Sequence, residues 1–200
     1  YIDPLDGTLN YAHGIPFYSV SVAYATQGDM LLGVVYDPVR EELFSAEYGK
    51  GAMLNGAPIH VSGYTDLIDC MLSTGFPPDM GDQLSDDMAY FREFRKRSQS
   101  IRRMGSAALD LAYVACGRFD GYWKTDLYPW DAAAGALIAQ EAGAIVTDLD
   151  NHPDFMKMPI SLGLKTFLRM IISGRDRAMT LIMNARAVPR AAPLPSRAWI

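Results

Sequence analysis

Asp3-Pro4-Leu5-Asp6-Gly7-Thr8-Leu9-Asn10 sets two carboxylates three residues apart across a proline, followed at once by a glycine and a hydroxyl. Carboxylates at that spacing can aim at one point, and hard oxygen donors of this sort suit Mg²⁺ or Ca²⁺. Gly7 lets backbone approach a ligand closely. Thr8 stands where a helix can begin, so that N–H groups there could cradle a phosphate. The same residues also make an ordinary Asp-Gly turn with Asp6 as a cap, because Asp and Gly dominate turns for local reasons. A further carboxylate stands far downstream, in Trp130-Asp131-Ala132-Ala133-Ala134-Gly135-Ala136-Leu137-Ile138-Ala139-Gln140-Glu141-Ala142-Gly143. Asp131 reads there as a helix N-cap, and the alanines as close helix packing. An Asp at a helix start can turn its second oxygen to a cation. A divalent ion could then be shared by Asp3, Asp6 and Asp131 if the fold closes the distance. No Ser/His/Asp or Cys/His set competes: His13, His60 and His152 are scattered and read as loop or surface residues.

The elements that must position these residues follow from hydrophobic rhythm. From Ser19 to Ser62 the pattern has period two, which predicts half-buried strands at Ser19–Thr26, Leu31–Tyr36 and Glu42–Tyr48. Asn55-Gly56 predicts a tight hairpin between Ala52–Leu54 and Pro58–Val61. Beyond Cys70, strand-length and helix-length segments alternate, which implies layered α/β packing. Strands are expected at Cys70–Thr74, Phe119–Trp123, Ala144–Thr147 and Leu168–Ser173. Helices are expected at Gln83–Ser98, Ser106–Ala115, Asp131–Ala142 and Asp176–Ala185, the second carrying an apolar stripe of Ala108, Leu111, Ala112 and Ala115. Tyr90, Phe91 and Phe94 read as the buried face of the first of these helices. Arg186–Ile200, with three prolines, three arginines and no acid, reads as a disordered tail beyond a domain of residues 1–185.

Composition narrows the partners. Two hundred residues, 50% of them hydrophobic, suffice for one globular unit with a sizeable core. A formal charge of −5, from 18 Lys plus Arg against 23 Asp plus Glu, gives no bulk attraction to nucleic acid or an anionic membrane. There is no apolar run of the roughly 18 residues that a membrane span needs. Cys70 and Cys116 are too few for a disulfide framework and fit a reducing compartment.

Taken together, the two acidic segments resemble the signatures of the inositol monophosphatase family of Mg²⁺-dependent phosphatases. Asp-Pro-Leu-Asp-Gly-Thr-x-Asn, extended by His13, Pro16 and Phe17, is similar to the first signature, and Trp-Asp-x-Ala-Ala-Gly-x-Leu-Ile-x-x-Glu-Ala-Gly to the second. Gly33-Val34-Val35-Tyr36-Asp37-Pro38, Gly49-Lys50-Gly51-Ala52 and Arg103-Met104-Gly105-Ser106-Ala107-Ala108-Leu109-Asp110-Leu111 agree as well, so the likeness runs from Tyr1 to about Asp150. The resemblance implies a layered αβαβα sandwich of the inositol monophosphatase/fructose-bisphosphatase type. It implies Mg²⁺, two or three ions per site, held by Asp3, the carbonyl of Leu5, Asp6 and Asp131. Gly7 and Thr8 would bind the phosphate, Thr8 and Asp3 would serve the attacking water, and Gly105, Ser106 and Ala107 would touch the polyol. The implied reaction is hydrolysis of a small phosphate ester, first of all myo-inositol monophosphate, by a cytoplasmic homodimer. Other implied readings are a phosphatase of histidinol phosphate, fructose bisphosphate or a nucleotide 3′-phosphate, and a non-catalytic regulatory homologue.

Three departures from the family pattern modify these expectations. Relatives carry a Glu-Glu motif upstream of the first signature. Here it would precede Tyr1, so the chain is expected to be an N-terminally truncated member with weaker metal binding and little turnover. Lys124, in Tyr122-Trp123-Lys124, stands where many inositol phosphatases have a glutamate that contacts sugar hydroxyls. A lysine there would favour a substrate with an additional anionic group, or it is a solvated surface charge. After Asp150 the likeness fades until Met170-Ile171-Ile172-Ser173-Gly174, as in a divergent or frameshifted end.

Overall fold

Strand β1 (Ile2–Asp6) runs antiparallel to β2 (Ser19–Thr26), and its register slips between Asp3 and Asp6. Pro4 lies inside that slip, and the edge position of β1 tolerates its missing N–H. This is a computed structural model that describes residues 1–76, 84–124, 127–147 and 170–172. Between β1 and β2 lies the short helix α1 (Thr8–Ala12). The meander continues through β3 (Asp29–Asp37), β4 (Glu42–Glu47), β5 (Ala52–Leu54) and β6 (Ala57–Ile59), giving an antiparallel sheet in the order β1-β2-β3-β4-β5-β6. Asn55 and Gly56 both have positive φ, the geometry of the tight hairpin that the dipeptide predicts.

The remaining elements are β7 (Met71–Thr74), α2 (Leu84–Arg97), β8 (Ser100–Arg102), α3 (Ala107–Ala115), β9 (Gly121–Trp123), α4 (Pro129–Glu141), β10 (Ile145–Thr147) and β11 (Met170–Ile172). They form a second sheet in the order β10-β11-β9-β7-β8, with β7 parallel to β8 and β9, and β11 antiparallel to β9 and β10. Strand pleating separates two cores. Tyr122 joins the large cluster built on α3 and α4, whereas its neighbour Trp123 joins Cys70, Leu72 and Phe94 under α2. The described layers are therefore the six-stranded sheet, the α3–α4 pair, the second sheet and α2, an α/β sandwich.

Glycine sets how closely α4 packs. A methyl on Gly135 would lie 2.6 Å from Leu111 Cβ on α3, and one on Gly33 of β3 would lie 2.8 Å from the Ala134 carbonyl of α4. Helix α4 thus meets a helix on one side and a sheet on the other, in each case across a glycine.

Several expectations need correction. Helix α4 begins at Pro129, with Tyr128 as its N-cap, so Asp131 occupies the third helical position. Proline is favoured in the first turn because its missing N–H has no helical partner there. Helix α3 is buried on every side, not only along the stripe of Ala108, Leu111, Ala112 and Ala115, because it is enclosed between two sheets and α4. Strands β1 and β8 were not expected from periodicity, being short and interrupted by Pro4 or by arginine. The helix expected at 176–185 and the tail at 186–200 lie outside the described residues.

Candidate metal centre

Strand β1 brings Asp3 and Asp6 to the sheet edge, and the first turn of α4 brings Asp131 to the same point. One carboxylate oxygen of each lies within 4.8 Å of the others. Asp6 is buried, whereas Asp3 and Asp131 are half-buried. The cluster is therefore open on one side and anchored on the other.

Asp6 is the anchor. Its Oδ2 accepts from Ser106 Oγ at 2.6 Å and from the backbone N–H of Ala108 at 2.8 Å, at the start of α3. Burial nevertheless pushes the Asp6 carboxyl up from 3.8 to about 6. The Ser106 and Ala108 hydrogen bonds oppose that rise, and the charges of Asp131 and Asp3 add to it. Asp131 is raised as well, first by burial, against the opposing influence of Lys124 and a hydrogen bond from the Tyr128 N–H. Three carboxylates held this close repel one another, and Lys124 offsets only part of that repulsion at Asp131. A hard divalent cation relieves that repulsion, and an all-oxygen donor set suits Mg²⁺ or Ca²⁺.

The loop after β1 is ordered by its own hydrogen bonds. Asp3 Oδ1 accepts from the Leu5 N–H at 2.9 Å, and Thr8 Oγ1 donates to the Leu5 carbonyl at 2.8 Å, which leaves that oxygen a second lone pair. Gly7 has φ +89, and a methyl there would sit 3.0 Å from the Phe17 carbonyl, so the chain itself requires glycine at this position. Thr8 is exposed and opens α1, as the motif suggests.

Ser106, at the N-cap of α3, accepts from the Leu109 N–H while donating to Asp6, and is fully buried. Ala107 is buried too, which leaves Gly105, at φ +94, as the exposed member of that trio. Asn10 closes the first acidic motif, and it ties the site together. Its Nδ2 donates to the Phe17 carbonyl at 2.7 Å and to the Met104 carbonyl at 2.8 Å, and it packs where any Gly105 side chain would be. Asp110, in the segment that runs from Arg103 to Leu111, has no role assigned by its motif. It is buried, its Oδ1 accepts no hydrogen bond among the described residues, and burial beside the Asp6 charge holds its carboxyl far above the usual range. Lys124 is half-buried, and its charge reaches both Asp131 and Asp110. Its surroundings are those of the carboxylate cluster. His13 and His60 are exposed, and His152 lies outside the described residues.

Residues 1–179 match the model of the inositol monophosphatase family. The chain belongs to that family. It is 47% identical over 158 residues to the Nus factor SuhB of Pseudomonas aeruginosa, a match covering 78% of this chain and 58% of that protein. It is 43% identical over 155 residues to the inositol-1-monophosphatase of Mesorhizobium japonicum, with the same coverage. Among solved structures it superposes on the inositol monophosphatase of Anabaena (Nostoc) with a TM-score of 0.82 at 40% identity, over 94% of this chain and 71% of the other. The matches thus span about 58% of the length of these curated relatives. Within the family frame, the two signature segments of the sequence are the two that meet at the carboxylate cluster. No helix among the described residues is long and apolar enough to cross a membrane.

Proposed function

We propose that this chain carries the metal-binding core of a Mg²⁺-dependent phosphatase acting on a phosphate monoester of a polyol or sugar. The convergence of Asp3, Asp6 and Asp131 within 4.8 Å is the observation that carries this reading. Asp3, Asp6, Asp131 and the Leu5 carbonyl would hold the cation, which when bound supplies positive charge for phosphate oxygens and for water activation. The chain's own residues then position. The half-buried Asp3 and Asp131 face the open side, where a phosphate and a water would arrive, while Asp6 is fixed from behind by Ser106 and Ala108. The Gly7 and Thr8 N–H groups lie beside the cluster in a turn that only glycine fits, and they would take phosphate oxygens. The Thr8 hydroxyl would orient the attacking water, and the backbone at Gly105 is open to the polyol. Such chemistry asks for positioning and electrostatics, not for a protein nucleophile.

Calorimetric titration of Mg²⁺ or Mn²⁺ into the chain, paired with phosphate release from myo-inositol 1-phosphate, tests the reading. The expected result is saturable binding and metal-dependent release, both lost in Asp6→Asn. No divalent binding by the parent chain would refute it. The name of the Pseudomonas relative, a Nus factor, supports a second reading, in which the fold serves transcription without catalysis. Under that reading, a chain with Asp3, Asp6 and Asp131 all changed to Asn would keep its protein partner.

A further inference from the structure

The strands β8, β7 and β9 are mutually parallel neighbours, in register at their carboxyl ends: Ser73 pairs with Arg102, and Thr74 with Trp123. Beyond those ends come Arg103, Gly75-Phe76 and Lys124, side by side along one rim of the sheet. Ligands of sheets with parallel strands collect at this end. The two outer strands lie about 10 Å apart across β7, since each strand spacing is close to 5 Å.

Both cations lean on the central segment. A methyl on Gly75 would lie 3.1 Å from Lys124 Cδ and 3.5 Å from Cε, so the glycine is what lets the lysine stem lie flat there. The Arg103 guanidinium stands 4.8 Å from the centroid of the Phe76 ring. Among the described residues, neither cation is in an ion pair. The rim adjoins the carboxylate cluster, because Arg103 precedes Met104, which is bonded to Asn10, and Ser106, which is bonded to Asp6. The Lys124 charge is likewise felt at Asp131.

We infer that Lys124 and Arg103 form a second anion-binding subsite beside the carboxylate cluster, and that the substrate carries a second phosphate, as in a sugar bisphosphate. This rests on the phosphatase reading for the scissile group, but the subsite itself is defined by binding. A monophosphate with an uncharged polyol leaves Arg103 without an anion and Lys124 with only the carboxylates of Asp131 and Asp110. A second phosphate gains charge-assisted hydrogen bonds from them, and a planar guanidinium stacked on a ring is well placed to offer two donors at once.

The test pairs turnover with binding. In the presence of Mg²⁺, kcat/KM is measured for fructose 1,6-bisphosphate and myo-inositol 1-phosphate in the parent chain, Lys124→Met, Lys124→Arg and Arg103→Ala. Affinities for the same two compounds are measured by calorimetry with Ca²⁺ in place of Mg²⁺. The parent should prefer the bisphosphate. Lys124→Met and Arg103→Ala should each lower the bisphosphate-to-monophosphate ratio by about tenfold, the worth of one charge-assisted hydrogen bond, and Lys124→Arg should restore most of it. Equal losses on both compounds, in turnover and in affinity, would assign Lys124 to balancing the carboxylates and overturn the inference. If neither compound is hydrolysed but Lys124→Met still weakens bisphosphate binding selectively, the phosphatase reading fails and the subsite stands. A parent that prefers the monophosphate in both measurements sinks the subsite while leaving the phosphatase reading intact.

Discussion

The hydroxyl of Ser106 donates to Asp6 Oδ2 at 2.6 Å, joining residues 100 positions apart in the chain. The same oxygen atom of Ser106 accepts from the Leu109 N–H and so caps α3. One side chain therefore starts a helix and fixes a candidate metal ligand. Ser106→Ala removes both contacts and should destabilise the fold by about 1–2 kcal/mol, the usual cost of losing an N-cap. Urea unfolding in EDTA measures this. Divalent affinity should fall as well, whereas Ser106→Thr should retain the cap and much of that affinity.

The raised Asp6 carboxyl gives a pH signature in metal-free protein. Folded Asp6 titrates near 6 rather than 3.8, so between these values the folded chain binds more protons than the unfolded one. By linkage, this group's contribution to stability falls as pH rises through that window and levels off above about pH 6. The rise corresponds to about 3 kcal/mol. Comparing Asp6→Asn with the parent in EDTA isolates it: the variant should gain relative stability as pH climbs from about 4 to about 6, reaching up to about 3 kcal/mol. A constant difference across that range contradicts the assignment.

Asp131→Asn should keep the fold and lose the cation. The Tyr128 N–H can still be accepted by the amide oxygen, and removing one negative charge eases repulsion with Asp3 and Asp6. Thermal unfolding should show a Tm in EDTA no lower than the parent's, and a Mg²⁺-induced rise in Tm that is present in the parent but absent from the variant.

Close packing around α4 predicts a different kind of loss. Gly135→Ala would put a methyl 2.6 Å from Leu111 Cβ, between two helices that have no space to separate. Overpacking of this sort costs about 1–3 kcal/mol, read as a lower urea midpoint. Because Asp131 sits one turn earlier on the same helix, weaker Mg²⁺ binding should accompany the loss of stability.

Much of the scaffold was legible where local rules decide it. Period-two alternation located β2 within its observed ends, Asn55-Gly56 marked its hairpin, and Ser106 capped α3 as its residue type suggests. What escaped was decided at a distance. β1 exists because β2 pairs with it, and a Pro inside a carboxylate motif reads locally as a turn. The start of α4 lies two residues before the expected Asp131, because Asp131 and Pro129 both carry helix-start signals and the helix opens at the proline. The meeting of Asp131 with Asp3 and Asp6 has no trace in spacing or composition. Family resemblance pointed to it, and the geometry brings the three together. Lys124 shows the same limit: a lone lysine in a strand-to-loop step says nothing of the carboxylates its charge will reach.

The bond from Asp6 to the Ala108 N–H spans 102 residues, and the carboxylate of Asp131 arrives later still. During synthesis, then, Asp3 and Asp6 leave the ribosome long before their third partner exists. The centre cannot form in any partly folded chain that has not closed this loop, and loop closure carries its entropic cost before the contacts repay it. A cation gripped by all three would act as a clasp fastened last, slowing the opening of a fold whose distant segments it joins, and its release would be an early sign that the chain has begun to come apart.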